Sequence, residues 1–365
     1  PGVRRRATRG LPHSIGAGVD TQHEPVRVRG RVGHDEPTVT GSQVHRRRGV
    51  GRGEIGQLAD VHLGEAAPGQ DAHEPMIALA VMAPTVQTVT VRDIDVHVVR
   101  VGSGRPLVVC GGPQLGHQYL RALDALADQC EVIYYDARGS GGTEVGDPSQ
   151  ISFAGALEDL EGLRQALGIE QWSILGHSLG GHLAYLYASR HADRVESLIV
   201  VDAGPPLTEE LATQLSEAME ADRTEEERAD LKRAVRSDAV RARQPKAIED
   251  FILAIYAPFF RDRNTITNLD LGFTDITAAN VLGYEETLVA SLPDQDPFVR
   301  LSEISRPTLV IHGEGDPIPV ESSQLLVDQI PGAELVVIPD GGHFPFIENA
   351  ADFQLVVREF LSRTT

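Results

Sequence analysis

Cysteine occurs only twice in the 365 residues, at Cys110 and Cys130, too seldom for a disulfide framework or a thiolate metal cluster. Both lie in apolar stretches that read as buried strand ends, so free and inert thiols are expected. Positive charge is also scarce: 33 Lys and Arg face 53 Asp and Glu, for a formal charge of −20. A chain this acidic is a poor electrostatic partner for nucleic-acid phosphates. Long apolar runs are missing as well, since the longest uncharged one near the N-terminus, 76–84, falls far short of the roughly 18 residues a membrane span needs. No pair of histidines or carboxylates has metal-ligand spacing with a third partner, so no metal and no cofactor are expected. We therefore expect a cytoplasmic protein, monomeric or homo-oligomeric, that acts on a small-molecule substrate without nucleic-acid or membrane partners.

Residues 1–81 are dominated by Arg, Gly and His, with turn formers every few positions and no lasting period. They hold 11 arginines against nine acidic residues, so the acidic excess belongs to the rest of the chain. This segment reads as an unstructured N-terminal extension, with translation beginning naturally at Met82 or Met76. The arginine triplets at 4–6 and 46–48 lack the apolar stretch that an export signal requires.

From Val86 the pattern turns regular. Val86, Thr88 and Thr90, then Ile94, Val96 and Val98, alternate around Arg92-Asp93, as in an antiparallel hairpin. Short apolar runs at 107–110, 132–135, 172–175, 198–201, 308–311 and 335–338 suit strands buried on both faces. Between them, Leu157, Leu160, Leu163 and Leu167, and then Leu183, Leu186 and Tyr187, have helical spacing. Strand and helix alternate, which predicts an α/β fold with a mainly parallel central sheet and helices on both faces. The alternation fails over 205–300, where a charged helical run at 209–243 is followed by 248–260. That stretch is expected to be a helical cap inserted into a core formed by 82–204 and 301–365.

Gly176-His177-Ser178-Leu179-Gly180 fits G-x-S-x-G between a predicted strand and a predicted helix, the context of a nucleophile elbow. A serine hydroxyl is a weak nucleophile at neutral pH; it needs a base, and the base needs a carboxylate to hold its tautomer. Asp316 follows the strand at 308–311, and His343 follows the strand at 335–338, in the order Ser, Asp, His. Glu314 and Asp202 are the competing carboxylates, and Asp316 is preferred. His177, His182 and His312 adjoin tight turns and are read as structural. A tetrahedral intermediate needs backbone N–H donors, for which Leu179, after the nucleophile, and Gly112, in the loop after the strand at 107–110, are the candidates.

Together these residues resemble the α/β-hydrolase superfamily and, within it, the proline iminopeptidase group, over residues 86–365. Cys110-Gly111-Gly112-Pro113 is similar to that group's His-Gly-Gly-Pro loop. Tyr135-Asp136-Ala137-Arg138-Gly139-Ser140-Gly141 is similar to its Asp-Gln-Arg-Gly-Ser-Gly segment, and 176–181 matches its elbow. Gly341-Gly342-His343-Phe344-Pro345 is common to many superfamily members. Cys110 and Gln114 depart from the usual histidine and glycine, and the group's Trp-Glu cap signature is absent. By the resemblance, Glu285 and Glu286 are candidates for the cap carboxylates that would hold a substrate's α-amine, and a solvated helical face is the other reading of the same pair. It implies a serine hydrolase acting through an acyl-enzyme on an ester, lactone or N-terminal amide, with an aminopeptidase placed first. A carboxylesterase or lactonase is the alternative, and a non-catalytic ligand-binding receptor is the alternative of another class. Ser178 argues against epoxide hydrolases and haloalkane dehalogenases, which place aspartate at the elbow.

Overall fold

The computed structural model describes residues 83–204, 209–284, 287, 288, 291 and 300–364. The expected extension at 1–81 and the candidate pair Glu285 and Glu286 lie outside them. The chain opens with the expected hairpin, β1 (Thr85–Val91) and β2 (Ile94–Gly102), paired from Thr85 with Arg100 to Val91 with Ile94. Arg92 makes the tight turn in the left-handed region, at φ 55°.

The remaining strands are β3 (Pro106–Cys110), β4 (Glu131–Tyr135), β5 (Trp172–His177), β6 (Val195–Val201), β7 (Thr308–Gly313) and β8 (Glu334–Ile338). They form one eight-stranded sheet in the order β1-β2-β4-β3-β5-β6-β7-β8. The β1-β2 and β2-β4 pairs are antiparallel, and every pair from β4 to β8 is parallel.

Because successive strand residues face opposite ways, the apolar runs supply two cores at once. Leu107, Val109, Leu175, Ile199, Val201, Leu309 and Ile311 point to one of them. Val108, Cys110, Ile174, Leu198, Val200 and Val310 point to the other. Each fully buried Val, Leu or Ile contributes about 1.5–3 kcal/mol relative to exposure.

Helices α1 (Phe153–Ala166) and α2 (Leu179–Arg190) cover the second core, as does α8 (Val320–Gln329) through Leu326. The first core is covered by α10 (Ala350–Arg363), which follows the single turn α9 (Pro345–Glu348). Helices therefore lie on both faces, as the alternating pattern predicts.

One detail differs from the sequence reading. β8, expected to be buried on both faces, is an edge strand with Val337 43% exposed. Val336 and Ile338 pack on the first core and Leu335 on the second, but with a neighbour on one side only the strand stays partly exposed, and chain order does not reveal sheet order. The charged helical run at 209–243 is helical as expected and is divided into three, α3 (Glu209–Asp222), α4 (Glu225–Val235) and α5 (Asp238–Arg241). The break has a local cause. Thr224 accepts from the Glu227 N–H while the Glu227 carboxylate accepts from the Thr224 N–H, a capping box that starts a new helix. Among the described residues, helices α6 (Pro245–Tyr256) and α7 (Asp275–Asn280) also lie before β7.

Both cysteines are free and buried. Burial pushes each thiol up to about 12, which keeps both unreactive at neutral pH. Among the described residues, no helix is long and apolar enough to cross a membrane.

Candidate active site

Parallel neighbours β5, β6, β7 and β8 end along one edge of the sheet, and the candidate residues follow those ends. Ser178 sits between β5 and α2 at φ 55° and ψ −124°, a backbone position that costs a non-glycine residue about 1–3 kcal/mol. The turn is held from both sides: the Ser178 N–H donates to Val201 O at 2.9 Å, and the Gly181 N–H donates to Ser178 O at 2.8 Å. A β-carbon at Gly180 would collide with the carbonyls of Cys110 and Gly111, so only glycine lets α2 start this close to β3.

The loops after β7 and β8 are laced together. Glu314 N–H donates to Ile338 O at 2.9 Å and Gly315 N–H to Gly341 O at 2.7 Å. This brings Asp316 and His343 into contact, with His343 Nδ1 at 2.8 Å from Asp316 Oδ2. Both side chains are shielded from water, 5% exposed for His343 and 0% for Asp316. Asp316 Oδ1 also accepts from the Ile318 N–H at 3.0 Å. Glu314, one of the competing acids, instead faces outward in an ion pair with Arg261.

The histidine loop has further supports that sequence reasoning missed. Glu348 accepts from the N–H groups of Gly342 at 2.8 Å, Arg261 at 2.8 Å and Asp262 at 3.1 Å. Phe259 O accepts from the His343 N–H at 2.8 Å, and its ring centroid lies 4.6 Å from that of His343. Only the spacing of Glu348, five residues past the histidine, offered a signal.

His177, read as structural, joins the base loop to the elbow: its Nε2 lies 2.7 Å from His343 O. Burial, and then the neighbouring His343, hold His177 well below the usual histidine range. It is therefore neutral, with the proton on Nε2 for the carbonyl. Nδ1 is left to accept from the Tyr119 hydroxyl at 3.3 Å.

Gly112 differs from its expected state. Its N–H donates to the Tyr119 hydroxyl at 2.8 Å, so in this conformation the amide is engaged by the protein. Leu179 opens α2, where a first-turn N–H has no intrahelical acceptor. Gln114, in the position where the resembling loops carry glycine, has a buried Oε1 without a partner among the described residues.

The Asp-x-Arg-Gly segment builds the wall of this loop. Asp136 accepts from the His117 N–H at 2.8 Å, faces His117 Nδ1 at 2.9 Å and accepts from the Gly142 N–H at 2.8 Å. Arg138 grips Asp159 at 2.6 and 2.7 Å. His97 completes a His/His/Asp group whose ligand atoms lie within 4.8 Å. Within it the rings of His97 and His117 are stacked 5.6 Å apart at 29°, and Asp136 is already engaged by the His117 and Gly142 N–H groups.

A parallel sheet whose strand ends carry a strained serine, a buried Asp–His pair and a glycine loop defines an α/β hydrolase. The alpha/beta hydrolase fold family matches residues 106–350, and the chain belongs to that family. It is similar to the proline iminopeptidase of Saccharolobus solfataricus, 28% identical over 284 residues, 72% of this chain and 86% of that protein. It is equally similar to a 2-hydroxymuconate semialdehyde hydrolase of a Pseudomonas species, 28% identical over 278 residues, 72% of this chain and 88% of that protein. Among solved structures, a thermophilic esterase from Thermogutta terrifontis matches with a TM-score of 0.54 and 26% identity, covering 77% of this chain and 99% of that one. The chain thus belongs to a family that contains hydrolases of several kinds.

Proposed function

We propose that the chain is a serine hydrolase working through an acyl-enzyme, with an N-terminal amide of the proline iminopeptidase kind as its first candidate substrate. The observation that carries the reading is the shielded His343–Asp316 contact of 2.8 Å, tied through His177 to the strained turn of Ser178. With Nδ1–H held by the carboxylate, His343 presents its Nε2 lone pair and accepts the proton from the Ser178 hydroxyl as the oxygen attacks the substrate carbonyl. The imidazolium then gives that proton to the leaving amine or alkoxide. Water enters, His343 takes its proton, and the hydroxide cleaves the acyl-serine.

The oxyanion is received by the N–H groups of Leu179 and Gly112. For Gly112 this means exchanging the Tyr119 hydroxyl for the oxyanion, and Tyr119→Phe tests it. The expected result is a folded enzyme whose kcat is no lower than wild type, because the competing acceptor is gone. A kcat at least about tenfold lower would mean that the hydroxyl is needed to hold the loop.

Residues 205–300 act as the cap that shapes the pocket, and Glu285 and Glu286 remain the candidates for the substrate's amine. Carboxylesterase or lactonase activity is the second reading, favoured by the missing Trp-Glu signature and by Gln114 in the oxyanion loop. A single preparation assayed with prolyl-p-nitroanilide, p-nitrophenyl butyrate and small lactones separates the two. Ester turnover is expected in either case. If no aminoacyl amide is cleaved, the peptidase reading falls and the esterase reading stands.

A further inference from the structure

The end of β6 carries a second buried carboxylate, Asp202, fully shielded from solvent and held in the left-handed region at φ 47°. Its backbone is fixed by the Asp202 N–H to Ile311 O bond of 2.9 Å, and its Oδ1 accepts from the Gly313 N–H at 2.7 Å. Its Oδ2 is buried with no partner among the described residues that could donate to an ionised carboxylate. Yet carboxylate oxygens of Asp202 and Asp316 and a ring nitrogen of His343 all lie within 4.8 Å of one another.

Two buried carboxylates this close do not both ionise. Every described titratable group facing Asp202 leaves it without a compensating cation. On β7, His312 Nδ1 lies 3.8 Å from Oδ1, but that nitrogen is bonded to the Ser323 hydroxyl at 2.9 Å, and Nε2 to Ile318 O at 3.1 Å. Burial keeps His312 below the usual histidine range, hence neutral. Glu348 on α9 adds negative charge, and His343 on the loop after β8 has its Nδ1 on Asp316.

Of the two acids, Asp316 receives two donors, Ile318 N–H and His343 Nδ1–H. Asp202 receives one. The better-solvated carboxylate keeps the charge. We propose that Asp202 is a neutral carboxylic acid whose O–H donates to the Asp316 carboxylate, making it a positioning residue that orients the triad's acid from the end of the neighbouring strand. In keeping with that geometry, burial and then the charge of Asp316 push Asp202 well above the usual carboxylate range. The inference rests on the triad reading above and deepens it. The sheet edge then carries acids at both strand ends where a hydrolase could keep one, of which one is ionised and one holds the proton.

The test uses the full chain. Asp202→Ala removes the donor and is expected to lower kcat about tenfold, the effect of losing one hydrogen bond to a charged group. Asp202→Asn restores a neutral donor and is expected to recover most of that loss, with the acid limb of the kcat/KM profile unmoved. Were Asp202 ionised, the Asn variant would remove an anion beside His343 and displace that limb to lower pH, which would overturn the proposal.

A second measurement needs no activity. A native state that holds a proton the unfolded chain releases loses stability as pH rises above the ordinary carboxylate range. The wild-type melting temperature should therefore fall relative to that of Asp202→Asn as pH rises from about 4 to 8. A gap that is flat or runs the other way overturns the proposal, even if the Ala variant fails to fold. Failure of the triad reading looks different: Ser178→Ala would stay active while the melting gap kept its expected slope.

Discussion

Ser178→Ala should fold as wild type does and lose hydrolysis by about 10⁶-fold, the scale reached when the nucleophile of a Ser-His-Asp unit is removed. The variant should also no longer react with a fluorophosphonate probe that labels the wild-type serine. The loss is that large because no other group takes over the covalent step. A companion change isolates the structural cost of the nucleophile. Ser178 sits at φ 55°, so Ser178→Gly should be equally inactive yet more stable by about 1 kcal/mol, since glycine occupies the left-handed region without strain. Activity retained by Ser178→Ala would point to another nucleophile, whereas a wild type that neither hydrolyses these substrates nor reacts with the probe would leave a ligand-binding receptor as the better account of the pocket.

Asp316→Asn should cost about 10⁴ in kcat with little change in fold, because an amide no longer fixes the imidazole in the tautomer the base requires. The structural basis is the 2.8 Å contact from His343 Nδ1 to Asp316 Oδ2. Without the carboxylate, Nε2 is no longer reliably the acceptor and the imidazolium loses its counter-charge. A loss smaller than about tenfold would move the acid's role to another residue, and Asp202 is within 4.8 Å to take it.

Much of the candidate site could be read from residue order alone. The G-x-S-x-G stretch follows an apolar run and precedes a helical pattern, so Ser178 could be put on a strand-to-helix turn without coordinates. Asp316 and His343 could be put on later strand ends for the same reason. Relations that pass through space were hidden. Tyr119 lies seven positions from Gly112, but its hydroxyl reaches the Gly112 amide only because the 3₁₀ segment His117–Leu126 folds back beneath the loop. Peptide-plane orientation depends on such neighbours, and no composition or period reports it. The pairing of Asp202 with Asp316 has the same character: the two residues are 114 positions apart and meet because β6 and β7 are adjacent. The β8 edge was misjudged because sheet order is decided by which strands pair. The break at Thr224 was legible, since Thr224 and Glu227 spell a capping box, but the charged run around them obscured it.

Local physics is therefore written along the chain: apolar runs bury themselves, glycines permit the elbow, and a short polar cap starts a helix. From these the sequence alone determined the class of fold and nominated the candidate reacting groups. Tertiary structure decided which carboxylate keeps its charge and which amide is already engaged. Both depend on dielectric shielding and on donors a few ångströms away, and those are contributed by residues far removed in order.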